Sequence, residues 1–253
     1  MQELTEGRSE TQVRRSAIIL SISVVVTLLL YYVIPYGRVV GYPLILLSTL
    51  VHEMGHGIAA ILVGANFEQF VMYSDGSGVA RWSGDVGRFG RAFISAGGLV
   101  GPAIGAGVGF VLGRHEKLSR VTLGVLGVLL LLSIIFVVRN LFGVFFVAVT
   151  ALIFLGVALK ARPWISQVML LFVSTQLALS VFSRGDYLFT DVARTSQGEM
   201  PSDVGQMADA LFLPYWFWGA LCALVSVGIL VLGIRISVRG LLGQSPSETR
   251  EEG

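Results

Sequence analysis

The sequence predicts an all-α polytopic membrane protein of about six or seven transmembrane helices, with a small β-hairpin between the second and the third. Three observations carry that prediction. Charged residues make up only 13% of the 253 residues, against about 25% in soluble domains. Apolar residues gather into runs near the ~20 residues that a helix needs to cross a bilayer. One connection between those runs alternates and turns as a hairpin does.

The runs are, in order, 17–36, 42–63, 92–113, 121–138, 141–159, 164–182 and 211–234. The residues before the first run are polar, and the run itself exceeds the roughly 7–15-residue core of a cleavable signal, so it is expected to be a transmembrane helix. The chain divides into a polar tail (1–16), one membrane domain (17–240) and a second polar tail (241–253), read as disordered. After the second run, Phe67 to Tyr73 alternates loosely, Ser74-Asp75-Gly76-Ser77-Gly78 reads as a turn, and Val79 to Trp82 resumes. The third run carries Gly97, Gly101, Gly105, Gly109 and Gly113, four apart and so on one helix face. Small residues on one face let helices approach closely in lipid. Lys and Arg divide evenly between the two sides if this run spans, and gather on one side if it re-enters; its length is that of a full span, and both arrangements stay open.

Several function classes are excluded. Cys222 is the single cysteine, so neither a disulfide framework nor a cysteine metal cluster can form. The net charge is +2 and no Lys/Arg cluster interleaves with aromatics, so no nucleic-acid partner is expected. A transporter is not among the excluded classes, but the interrupted helices in two matching halves that would favour one are not seen.

The chemistry lies in His52-Glu53-Met54-Gly55-His56, within the second apolar run. Residues i and i+4 share a helix face, so both imidazoles can reach one ion. Zinc suits imidazole and carboxylate ligands, and lowers the pKa of its water to about 7. Glu53 follows the first ligand and is placed to act as general base and then general acid. Ionisable side chains at membrane depth are costly and usually functional. One Zn2+ per chain is expected, held by His52, His56 and a third ligand from elsewhere. The remaining histidine, His115, falls in a short charged link and reads as a surface residue.

The stretch Leu50 to Ala60 resembles the metal-binding helix of the site-2 protease family of intramembrane zinc metallopeptidases. Gly98-Leu99-Val100-Gly101-Pro102-Ala103 is similar to the start of that family's next helix. Arg139-Asn140-Leu141-Phe142-Gly143, Ser202-Asp203-Val204 and Leu213-Pro214-Tyr215-Trp216 are similar to elements of its bacterial, uncharacterised site-2 protease-like subgroup. The resemblance covers roughly Ile45 to Trp218. It implies a multi-pass protein of a bacterial inner membrane that hydrolyses peptide bonds of membrane-embedded polypeptides. Typical members take their third ligand from a Leu-Asp-Gly element, which this sequence lacks.

The third ligand is therefore sought in the acidic connection 184–209, among Asp186, Asp191 and Asp203. The resemblance favours Asp203, which with Ser202 could also cap the last helix. For Asp203 to serve, that connection must dip into the bundle. Arg139 and Asn140 read either as a tight turn between helices or as groups serving the oxyanion and the substrate backbone. Two other function classes stay open: a catalytically silent relative that binds metal or transmembrane helices, and, with less support, a transporter.

Overall fold

The computed structural model describes residues 41–183, 188–195 and 198–242, with 14, 18–19, 21–26, 29 and 39 before them. The first predicted span lies largely outside the described residues, as does Asp186; the described positions 18–19, 21–26 and 29 are helical. From Tyr42 the elements run α1 (Tyr42–Leu62), β1 (Asn66–Met72), β2 (Gly78–Ser83), α2 (Gly87–Leu112), α3 (Glu116–Phe136) and α4 (Leu141–Lys160). They continue with α5 (Pro163–Ser183), β3 (Val192–Thr195), β4 (Gly198–Pro201), α6 (Asp203–Leu211) and α7 (Tyr215–Leu242). Among the described residues six helices, α1 to α5 and α7, are long and apolar enough to cross a membrane.

The third apolar run shows no break at which to turn back. It belongs to one continuous helix of 26 residues, about 39 Å at 1.5 Å per residue. Its glycine stripe lies against two neighbours in succession. A Cβ at Gly101 would stand 3.3 Å from the Gly55 Cα of α1, and one at Gly113 would stand 2.5 Å from Leu171 of α5. Gly55 and Gly97 meet so closely that a Cβ on Gly55 would overlap the Gly97 carbonyl. The stripe thus seats α2 between α1 and α5. Leu46, Leu50, Ala103, Ala106, Phe110, Leu170 and Leu171 form the core around it. α3 and α4 turn large apolar side chains outward, among them Ile135, Phe136, Phe145 and Leu152, as lipid-facing helices do.

The predicted hairpin is β1–β2, antiparallel, with an irregularity between Phe67 and Gln69. It has a third partner. The link between α3 and α4 runs beside β1, with the Phe70 N–H donating to the Val137 carbonyl at 2.7 Å and the Arg139 N–H donating to the Phe70 carbonyl at 3.0 Å. Two features depart from expectation. A second antiparallel hairpin, β3–β4, lies in the acidic connection. The last apolar run is broken: Leu211 ends α6, Phe212 adopts φ 66°, and α7 starts only at Tyr215, after Pro214.

Candidate metal centre

His52 and His56 project from one face of α1 toward the start of α6. Their Nε2 atoms are 3.2 Å apart. The Asp203 carboxylate meets both, with Oδ2 3.2 Å from His52 Nε2 and Oδ1 3.3 Å from His56 Nε2. Among the described residues this is the one group of three His, Cys, Asp or Glu side chains close enough to hold a metal ion. All three are mostly buried, at 16%, 12% and 12% exposure for His52, His56 and Asp203. Burial opposes ionisation of Asp203, but the imidazoles of His56 and His52 outweigh it and hold its pKa well below the ordinary carboxylate range.

Each partner is held by a different device. Nδ1 of His56 is 2.8 Å from the Ile94 carbonyl of α2. With the proton on Nδ1, that bond fixes the tautomer and leaves the Nε2 lone pair facing Asp203. Gly98 makes room for the ring, because a Cβ there would overlap the His56 imidazole. No described residue bonds Nδ1 of His52. Asp203 is delivered by α6, whose N-cap is Ser202, with Oγ accepting from the Gly205 N–H at 3.0 Å. The same hydroxyl donates to the Thr190 carbonyl at 2.5 Å, and the Ser202 N–H donates to the Asp191 carbonyl at 2.8 Å. Because Ser202 does the capping, Asp203 is free to turn to the histidines. The buried face of α6 (Val204, Met207, Ala210) packs on Ala92 and Leu99 of α2. Its far end is pinned by Arg88, which donates to the Ala210 carbonyl at 2.8 Å and lies 3.5 Å from the centroid of the Phe212 ring. The acidic connection therefore dips into the bundle at Asp203.

Glu53 is buried, with 7% exposure, and its Oε2 accepts from the Ala80 N–H of β2 at 2.7 Å. Glu53, the triad, β2 and the second hairpin enclose a cavity of about 120 Å³, lined also by Ile94, Ser95, Ala193 and Met200.

The sequence of the whole chain bears on what this cluster is for. Residues 20–233 match the family described as Peptidase M50B-like. The chain belongs to the Peptidase M50B-like family. The resemblance to site-2 proteases drawn from the histidine motif is thus shown across most of the chain. No curated protein and no solved structure matches it. Membership and six apolar helices make this M50B-like chain an integral, multi-pass membrane protein.

The predicted site residues fall into two sets in this M50B-like fold. His52, Glu53, His56 and Asp203 converge on one cavity. Asp191, the runner-up for third ligand, does not join them: its side chain is exposed and its carbonyl tethers Ser202. Arg139 and Asn140 do not line that cavity; they lie at the turn between α3 and α4, the first of the two readings open to them. The exposed Arg139 guanidinium donates to the carbonyls of Ile135, Val138 and Phe136 around the end of α3. Asn140 extends the sheet. Its Nδ2 donates to the Met72 carbonyl at 2.6 Å and its Oδ1 accepts from the Met72 N–H at 3.2 Å. Ser202, Ile94 and Ala80 are the residues that sequence reasoning did not assign to the site. Ser202 alone carried a signal, as a serine ahead of a helix.

Proposed function

We propose that this chain is an intramembrane zinc metalloendopeptidase of a bacterial cell membrane, with residues 17–240 as its peptidase domain. The observation that carries the reading is the convergence of three ligand side chains: the two imidazole Nε2 atoms lie 3.2 Å apart, and each lies 3.2 or 3.3 Å from its own oxygen of the Asp203 carboxylate. Two ligands each about 2.0–2.1 Å from a tetrahedral zinc stand about 3.3 Å apart. His52, His56 and Asp203 would hold one Zn2+, and the family membership supports it. When bound, the ion supplies Lewis acidity and makes water a nucleophile near neutral pH.

The residues do the rest. His56, fixed through Ile94, and Asp203, fixed through Ser202, define the depth of the reaction. Glu53 takes the proton from the attacking water and returns it to the leaving amine. The substrate is an extended segment of a membrane-embedded polypeptide. In the bilayer its backbone needs partners that water cannot supply, and the outer edge of β2 offers them.

Zinc content of detergent-purified protein tests the reading directly. Wild type is expected to carry one zinc per chain, and His56→Ala and Asp203→Ala to carry none. Glu53→Gln should keep zinc and fold while cleavage of unfolded or membrane peptides falls by about 10²–10⁴-fold. Folded protein without zinc, never exposed to chelator, would refute the assignment, as would undiminished cleavage by Glu53→Gln.

A further inference from the structure

Glu53 occupies a hydrogen-bonding position that an incoming peptide needs. In an antiparallel pair, residues alternate between bonding their partner strand and facing away from it. Phe70 spends its N–H and carbonyl on Val137 and Arg139, and Met72 spends its own on Asn140. Their cross-strand partners Ala80 and Gly78 therefore direct their backbone groups away from β1, to the outer edge of β2. That edge borders the cavity containing His52, His56 and Asp203. The Ala80 N–H on it is already taken, by Oε2 of Glu53. β2 lies directly over α1 here, since a Cβ on Gly78 would stand 2.7 Å from Thr49 and 2.9 Å from the Glu53 Cγ. The contact is part of how the hairpin seats on the helix.

We infer that the Ala80 N–H is shared in turn by Glu53 and by substrate: at rest it binds the carboxylate, and an extended backbone displaces the carboxylate by offering its own carbonyl. This rests on the peptidase reading above and adds to it a requirement on the substrate. The N–H of Ala80 holds the carboxylate against β2 through Oε2, while Oε1 keeps its lone pairs. Glu53 is released only when a carbonyl of an extended strand replaces it at Ala80. A helical segment has its carbonyls bonded internally and cannot make that replacement. The substrate class is thus a locally unwound, extended polypeptide, and unwinding is read at Ala80 before hydrolysis begins.

The experiment is a binding measurement and needs no cleavage. The probe is a fluorescent decapeptide rich in Val, Thr and Ala, N-methylated at alternate residues, which keeps one hydrogen-bonding edge and resists proteolysis. It is titrated against the full-length, detergent-purified, metal-loaded protein. Glu53→Ala removes the competitor and is expected to bind the probe about tenfold more tightly than wild type. Glu53→Gln keeps an acceptor oxygen and should bind as wild type does. In an Ala80→Pro background, which lacks the N–H at an outward-facing edge position where proline is tolerated, Glu53→Ala should bring no gain. If Ala80→Pro does not fold, exchange of the Ala80 amide serves instead. That amide should be protected in wild type, exposed in Glu53→Ala, and protected again once probe is added. Equal or weaker binding by Glu53→Ala overturns the inference, as does absence of binding by every form. Failure of the peptidase reading would show separately, as missing zinc or missing cleavage in wild type.

Discussion

Phe70 and Met72 of the first hairpin have no exposed surface, whereas every residue of β4 in the second hairpin is exposed. Both hairpins border the same cavity, so the difference describes two kinds of wall. The first is backed by α1 beneath it and by residues 137–139 along its far edge. Its bonds are shared among three segments distant in sequence, and none can move without the others. The second is tied at its base, where Ser202 bonds Thr190 and Asp191. A wall that must present backbone groups in register needs the first construction. A wall that carries a ligand on the following helix needs only a fixed base. What the histidines require is a stable Asp203, which α6 gains from its packing on α2 and from the Ser202 tie at the base of the hairpin.

The comparison can be broken at graded points. The most severe is Gly98→Ala, on the supported side, where the added methyl overlaps the His56 ring. Overpacking costs about 1–3 kcal/mol, and a displaced ligand is expected to weaken zinc binding by at least about 10–100-fold. Competition with a zinc chelator checks this. Next is Asn140→Leu, which leaves the Met72 N–H and carbonyl without their partner. A loss of about 2–3 kcal/mol is expected, read as a lower midpoint of thermal unfolding in detergent, with zinc content unchanged. Ser202→Ala removes a cap and the tie to Thr190, for about 1 kcal/mol. Its zinc affinity should fall as well, since Asp203 follows directly; an unchanged affinity would mean that α2 alone places α6. Met200→Ala, on the exposed hairpin, should shift stability by no more than about 0.5 kcal/mol in the same thermal measurement.

How much of this could be read in advance depended on how local each feature is. α1 to α5 were legible because each is a continuous apolar run, and β1–β2 because alternation and a Gly-rich turn lie within sixteen residues, 67–82. The pairing of His52 with His56 is a property of four residues of helix. Asp203 is different: its place beside them depends on α6 packing on α2, which no spacing encodes, and residue type with family resemblance had to point to it. The second hairpin carries no apolar alternation in Val192 to Pro201 and follows from a turn at Gly198, with φ 118°, and from its tethered ends. Asn140 stayed between two readings for the same reason. A polar residue between two apolar runs advertises a hydrogen bond without naming its partner, and the partner, Met72, is 68 positions away.

The contact of Gly55 with Gly97 bears on traffic through the bilayer. Two helices touching backbone to backbone cannot slide or part by a fraction of a residue without collision or loss of their whole interface, so α1 and α2 travel together. The seam between them is closed to any polypeptide arriving sideways from the lipid. The cavity is flanked instead by the two hairpins, with Gly78 to Ala80 of β2 on one side and Ala193 and Met200 on the other.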